Sequence, residues 1–89
     1  MTKIHLDYFT HPICTGCWEV GKMLARLGAE LPDVLEVETW SLALPGGRRK
    51  AEALGVLEVP TIVVDGRERI VGVPENIAAL KARLVGADR

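Results

Sequence analysis

The stretch FTHPICTGCWEV, residues 9–20, places two cysteines between an apolar run and the beginning of a helical pattern. Cys14 and Cys17 are the only cysteines among the 89 residues. Three interpretations are open: a redox couple, half of a metal site, or a structural disulfide. A structural disulfide between residues this close in sequence would restrict the unfolded chain little, because it closes a very short loop. A catalytic or metal-binding pair is therefore favoured.

The segments on either side of the cysteines predict a strand followed by a helix. Residues 3–9, KIHLDYF, alternate in the manner of a strand, and Pro12 interrupts that pattern. Apolar residues then recur at helical spacing, so we expect a helix from about Cys14 to Leu31. The cysteines thus lie at the amino end of a helix, where free N–H groups and the helix dipole stabilise an anion.

The rest of the chain predicts alternating strands and helices, with one hairpin. We expect a strand over 34–40, a turn over 44–47, a short helix over 48–54 that ends at Gly55, a strand over 59–64, a two-residue hairpin at Asp65-Gly66, a strand over 67–72 and a helix from Pro74. Strand-helix-strand units favour parallel pairing, and the hairpin adds an antiparallel strand. The order β-α-β-α-β-β-α predicts an α/β fold whose mixed four-stranded sheet has helices on both faces.

The length, composition and net charge of the chain exclude several classes of protein function. Eighty-nine residues with 48% hydrophobic content are enough for one domain over residues 1–89 and too few for two. The net charge is −1, and the only basic run is Arg48-Arg49-Lys50, so we expect no nucleic-acid partner. The amino terminus shows no signal pattern, and no apolar stretch could span a bilayer. We therefore expect a cytoplasmic protein with no membrane partner, and nothing in the sequence requires more than a monomer.

The spacing of the cysteines suits disulfide exchange. Cys14 at the helix start is the expected nucleophile, because the thiolate attacks disulfides and this position favours the thiolate. Cys17 follows one helical turn later on the same face, in a more buried position. Cys14 would form a mixed disulfide with the substrate, and Cys17 would resolve it by forming a redox-active Cys14–Cys17 disulfide.

Metal binding is the main alternative. A closed zinc site is not expected, because no other cysteine is present and both histidines precede the pair at unsuitable spacings. We therefore expect neither a metal nor a cofactor. Small metallochaperones with a ferredoxin-like fold also carry CxxC and bind Cu(I), but their order, β-α-β-β-α-β, ends in a strand. A Cu(I)-type binding protein and a redox sensor without turnover stay open as alternatives.

A second informative segment is Val59-Pro60-Thr61, where a proline opens a strand. A cis Val59–Pro60 bond would explain this position and would place a tightly turned backbone beside the cysteines. The backbone of Val59 could then pair with an extended substrate segment. The alternative is a trans proline that merely begins the strand.

Taken together, CTGC after a strand and LGVLEVPT over residues 54–61 resemble the thioredoxin superfamily, and the resemblance extends over essentially the whole chain. It implies a thioredoxin-like fold and a protein disulfide oxidoreductase, active in electron transport and cell redox homeostasis. It also implies that Cys14 is the nucleophile, Cys17 the resolving thiol and Pro60 the cis-proline of the substrate groove. The expected partners are disulfide-containing proteins and an upstream reductase or thiol donor.

The branch within the superfamily stays open. FTHPICTGC is similar to the opening of glutaredoxins, but Glu58 precedes Val59-Pro60 where that family tends to have threonine. A glutamate there would repel glutathione, which carries two carboxylates. The Trp-Cys-Gly-Pro-Cys signature of thioredoxins is absent as well.

Several residues near the cysteines are candidates for supporting roles. Asp7 resembles the buried acid of thioredoxins, although one residue farther from the cysteines, and could accept the proton of Cys17. His11, if protonated, could stabilise the Cys14 thiolate, or it could be a solvated loop residue. Trp18 is either a core residue or an exposed aromatic beside the site. We count His11, Trp18, Val59 and Pro60 as candidate substrate contacts, and Tyr8 and Phe9 as core.

Overall fold

The computed structural model describes residues 3–85. Their elements are β1 (Ile4–Thr10), α1 (Thr15–Glu30), β2 (Leu35–Ser41), α2 (Pro45–Leu54), β3 (Thr61–Val64), β4 (Glu68–Val71) and α3 (Ile77–Val85). The predicted order of strands and helices is confirmed. The last described element is a helix, which disagrees with the ferredoxin-like order. One domain over residues 1–89 stays a prediction, because residues 1–2 and 86–89 lie outside the described part.

The sheet has four strands in the order β2-β1-β3-β4, as predicted for a mixed sheet. β1 pairs with β2 in parallel, while β3 runs antiparallel to both β1 and β4. The expected parallel pairing is therefore wrong for the second strand-helix-strand unit. The register gives the reason: Phe9 is paired with Thr61 and Thr10 with Ser41, so β3 begins at the same end of the sheet where β2 ends. The short connection through α2 does not return along the sheet.

Helices cover both faces of this sheet, and side chains alternate between the faces along β1. One face packs against α1 and α3 and holds the larger apolar cluster, which includes Leu6, Val20, Leu27, Leu80 and Leu84. The opposite face packs against α2 through a smaller cluster formed by Phe9, Ala51, Val56 and Val63. The predicted layering is therefore confirmed. The carboxyl end of β1 leads directly into the cysteine segment.

Helix α2 begins earlier than the sequence predicts. The segment over 44–47 was expected to be a turn, which is wrong, because Pro45 occupies the first turn of α2. Proline suits that position because its missing N–H would have no helical partner. A Cβ at Gly47 would lie 1.9 Å from the carbonyl oxygen of Ser41, so only glycine allows α2 to begin against the end of β2. Gly47, which the sequence placed in a turn, is thus required by this close approach.

Smaller differences concern turns and helix ends. Gly55 caps α2 in the left-handed conformation with φ 70°, as predicted. Three residues, Asp65 to Arg67, separate β3 from β4 instead of the expected two. Helix α3 begins at Ile77 rather than at Pro74. Within residues 3–85, no helix combines the length and the apolar character needed to cross a membrane.

Candidate active site

The two cysteines lie at the amino end of α1. Cys14 is the N-cap residue, and its sulfur accepts a hydrogen bond from the backbone N–H of Cys17 at 3.1 Å. Cys14 is partly exposed, whereas Cys17 is 2% exposed. Both are free thiols in this structure. An anion on the Cys14 sulfur therefore faces a backbone donor and the positive end of a sixteen-residue helix.

The thiol of Cys17 lies within hydrogen-bonding reach of the Cys14 sulfur. Burial raises the pKa of Cys17 above its ordinary value, and the hydrogen bond and charge of Cys14 raise it further. The Thr10 side chain and the backbone of His11 act in the opposite direction through hydrogen bonds to the thiol. Cys14 and Cys17 thus differ in exposure as an attacking and a resolving thiol must.

The Val59–Pro60 segment lies beside the cysteines. Its peptide bond is cis. A Cβ at Gly16 would lie 3.5 Å from Cδ of Pro60 and 2.9 Å from Cγ2 of Val73. The hydroxyl of Thr61 donates to the carbonyl of Glu58 at 2.6 Å and closes the turn around the proline. Because Gly16 has no side chain, this loop packs closely against the turn between the two cysteines.

A groove runs along the other side of the cysteines, over the surface of α1. The residues that line this groove include Cys14, Cys17, Thr10, His11, Trp18 and Lys22. Trp18 is 68% exposed, and the ammonium of Lys22 lies 4.0 Å above its ring centre. Of the two interpretations of Trp18, the structure therefore supports the exposed aromatic. Ile13, which directly precedes Cys14, is a further exposed apolar side chain, at 86% exposure.

His11 shapes the turn that precedes Cys14. Its backbone carbonyl accepts the N–H of Cys14 at 3.0 Å. Its Nδ1 accepts the N–H of Ile13 at 3.3 Å, which requires a lone pair on that nitrogen. A role of His11 toward the Cys14 thiolate stays a prediction.

Asp7 is buried, at 3% exposure, but its contacts are on the side of the sheet that faces away from α1. Its carboxylate accepts the indole N–H of Trp40 at 2.9 Å and lies 3.2 Å from Nε2 of His5. Trp40 packs against the smaller apolar cluster under α2. A catalytic role of Asp7 stays a prediction, and the structure gives the contact with Cys17 to a neighbouring residue instead.

That neighbour is Tyr8, which the sequence placed in the core without a role. Tyr8 is 5% exposed, and its hydroxyl donates to the backbone carbonyl of Cys17. The Thr10 side chain, from the same strand, interacts with both the Tyr8 hydroxyl and the Cys17 thiol. The alternation along residues 3–9 contained the signal, because it places Tyr8 with Leu6 on the face under α1 and Asp7 on the other face.

Sequence comparison agrees with this geometry. The chain is 32% identical to a thioredoxin from Methanocaldococcus jannaschii over 87 residues, which cover 94% of this chain and all of the relative. The chain belongs to the thioredoxin family. A probable thioredoxin from Methanothermobacter thermautotrophicus is 30% identical over 82% of this chain and 84% of its own length. No protein-family model matches the sequence.

Solved thioredoxin structures share the fold. Oxidised thioredoxin O2 from Arabidopsis thaliana superposes with a TM-score of 0.80 at 23% identity, over 98% of this chain and 76% of the plant protein. A thioredoxin variant from Halobacterium salinarum NRC-1 gives 0.77 at 26% identity, over 92% of this chain and 72% of its own. Family membership and the Cys14–Cys17 pair together identify this chain as a thiol–disulfide oxidoreductase.

Proposed function

We propose that this thioredoxin-family protein reduces disulfide bonds in protein substrates, with Cys14 as the nucleophile and Cys17 as the resolving thiol. One observation carries the proposal. The partly exposed sulfur of Cys14 receives the Cys17 N–H at 3.1 Å, while Cys17 itself lies one helical turn later and is 2% exposed. The first sulfur can therefore meet a substrate, and the second can reach only the first.

The reaction begins at the Cys14 sulfur. The backbone donor and the amino end of α1 stabilise its anion, and the thiolate is the form that attacks a disulfide. Attack forms a bond between Cys14 and one substrate sulfur and breaks the substrate disulfide. The other substrate sulfur leaves as a thiolate and takes up a proton from water. The product of this step is a mixed disulfide.

Cys17 completes the transfer. After it loses its proton, its thiolate attacks the sulfur of Cys14, and the bond between Cys14 and the substrate breaks. The second substrate sulfur leaves, and a Cys14–Cys17 disulfide remains. Two electrons have passed from the dithiol to the substrate. An upstream reductase or a thiol donor must return two electrons before the next cycle, so we place the protein in the reducing cytoplasm.

The surface around Cys14 suits a segment of protein chain. Exposed apolar side chains lie near the cysteine turn: Ile13, which precedes Cys14, at 86%, Trp18 in the groove at 68%, and Val73 next to Gly16 at 48%. An extended segment with a disulfide could bury these side chains while its backbone pairs with Val59 next to Pro60. Apolar rims of this kind are typical of surfaces that bind other proteins.

Insulin reduction with dithiothreitol as donor tests the proposal. Cys14→Ser should abolish turnover, because a serine hydroxyl does not attack disulfides. Ala29→Ser is the matched control, because Ala29 is an exposed residue on the same helix and receives the same side chain. Cys14→Ser with wild-type activity would contradict the assignment of the nucleophile.

The Cys17→Ser variant tests the second role. Without a resolving thiol, the mixed disulfide should persist and be visible by mass spectrometry of the intact adduct. The same variant can trap natural substrates in a cell extract, which separates protein substrates from small thiol compounds. If Cys17→Ser turned over insulin at the wild-type rate and formed no lasting adduct, the resolving role would be refuted.

A further inference from the structure

Two hydroxyl groups from β1 lie directly beneath the cysteines. The Tyr8 hydroxyl donates to the carbonyl oxygen of Cys17. Thr10 lines the groove together with Cys17, and its hydroxyl, which has one proton, can donate either to the Tyr8 oxygen or to the Cys17 sulfur. The two residues are separated by one position on the strand, so they point to the same face of the sheet. Tyr8 and Thr10 thus bring two hydroxyl groups to Cys17, at the edge of the larger apolar cluster.

Tyr8 acts on the backbone of the first turn of α1. A Cβ at Gly21 would lie 3.5 Å from the Tyr8 oxygen, so the phenol reaches the helix where residue 21 presents no side chain. Burial is the largest cause that raises the pKa of Tyr8. The phenol therefore stays protonated near neutral pH and remains a donor. A donor on the Cys17 carbonyl fixes the position of that residue relative to the sheet.

Thr10 acts on the sulfur itself. It is the last residue of β1, it is partly exposed, and it lines the groove together with Cys14 and Cys17. Its side chain lowers the pKa of Cys17, against the larger effect of burial. A hydroxyl that donates to a thiolate stabilises the charged form, and hydrogen bonds to charged groups are stronger than those to neutral groups.

Building on the function proposed above, we infer that Tyr8 and Thr10 are positioning residues for the resolving step. Tyr8 holds the turn that carries Cys17, and the hydroxyl of Thr10 holds the Cys17 sulfur and stabilises its thiolate as it attacks. The proton that Cys17 loses passes to water in the groove. The attacking pair of electrons forms the Cys14–Cys17 bond, and the bond between Cys14 and the substrate breaks. Neither hydroxyl is consumed.

Reaction with Ellman's reagent, 5,5′-dithiobis(2-nitrobenzoate), followed by stopped-flow absorbance tests this inference. Attack by Cys14 releases one coloured thiolate, and resolution by Cys17 releases a second, so the two steps give two phases. Thr10→Val removes the hydroxyl at nearly constant shape. We expect it to slow the second phase about tenfold, as for one hydrogen bond to a charged group, with the first phase unchanged. Tyr8→Phe should slow the second phase about threefold.

Three controls accompany these variants. Thr10→Ser restores the hydroxyl and should recover most of the rate of the second phase, which a merely structural role of the threonine methyl group would not do. Thr39→Val makes the same change at an exposed strand position and should leave both phases as in the wild type. Cys17→Ser should release only the first coloured thiolate.

The inference fails if Thr10→Val leaves the second phase within twofold of the wild type. It also fails if both phases slow equally, or if Thr10→Ser does not recover the rate. The proposed function fails separately, because its test is insulin reduction. A wild-type protein that shows both phases with Ellman's reagent but does not reduce insulin would refute protein substrates and leave the roles of Tyr8 and Thr10 standing.

Discussion

The two faces of β1 bury polar groups of different kinds. Under α1, the buried polar group of the strand is the neutral phenol of Tyr8, which contacts Cys17. On the face toward α2, it is the carboxylate of Asp7, which contacts Trp40 and the imidazole of His5. His5 also lies 3.3 Å from Glu36 and 3.4 Å from Glu38 on β2. The neutral face carries the redox pair, and the charged face carries an ionic cluster.

Asp7 and Tyr8 are adjacent in sequence, but their side chains meet different physical requirements. A buried carboxylate is costly unless hydrogen bonds and an opposite charge compensate for lost hydration. Trp40 and His5 provide this compensation for Asp7. A phenol needs only one partner, and the carbonyl of Cys17 provides it. We therefore expect changes on the α2 face to affect stability first, and changes at Tyr8 or Thr10 to affect the resolving step first.

The largest effect should come from the contact between α2 and the end of β2. Gly47→Ala would place its Cβ against the Ser41 carbonyl, and Gly46→Ala meets no atom within 4 Å. We expect Gly47→Ala to cost about 3 kcal/mol in the free energy of unfolding. Gly46→Ala should be neutral or stabilise by up to about 1 kcal/mol. Urea unfolding measures both, and equal values would show that α2 does not depend on this contact.

Asp7 should follow. Asp7→Ala leaves the indole N–H of Trp40 without its acceptor, so we expect a loss of about 2 kcal/mol in the free energy of unfolding. Asp7→Asn keeps an oxygen acceptor and should lose about half as much. The second phase of the reaction with Ellman's reagent should change less than twofold in Asp7→Asn. A tenfold slower second phase would instead restore the proton-accepting role expected from the sequence.

The ionic cluster should make stability depend on pH. Burial lowers the pKa of His5, but the hydrogen bonds and charges of Glu36 and Asp7 outweigh burial and raise it above its ordinary value of 6.5. The protonated ring therefore stabilises the fold fully below pH 6.5, and this contribution is lost as the pH rises through the raised pKa. Since His5 and the glutamates are partly exposed, the loss should be below about 1 kcal/mol.

Urea unfolding of the wild type and of His5→Gln between pH 5 and 9 measures this contribution. The difference between the two proteins should shrink as the pH rises, because glutamine carries no charge at any pH. A difference that stays constant or grows with pH would contradict the role of the protonated ring.

The smallest effects should come from two lysines that lie over tryptophans on opposite sides of the sheet. The ammonium of Lys22 is 4.0 Å from the ring centre of Trp18, and that of Lys50 is 5.4 Å from that of Trp40. Lys22→Gln should cost about 0.5 kcal/mol, and Lys50→Gln less, since the attraction weakens with distance. Thermal unfolding at low salt checks this order, and a larger loss in Lys50→Gln would reverse it.

Local sequence was sufficient for most of the fold. Apolar periodicity and turn residues placed all seven elements, and they also placed CTGC at the start of a helix. The assignment of Cys14 as the nucleophile stays a prediction. The predictions were wrong where a contact between residues distant in sequence decides the local structure. Gly46 and Gly47 have the composition of a turn, but the approach of Gly47 to Ser41 places them in α2. The direction of β3 depends on the end of the sheet to which α2 returns the chain.

At the site, too, local sequence predicted part of the arrangement, and the packing of distant elements decided the rest. Spacing alone implied an attacking and a resolving cysteine, because residues three apart on a helix share a face. The burial of Asp7 also agreed with its similarity to the buried acid of thioredoxins. Which residue meets Cys17 depended on how α1 packs over β1. Successive strand residues point to opposite faces, so a difference of one position moves a side chain from the cysteines to the far side of the sheet.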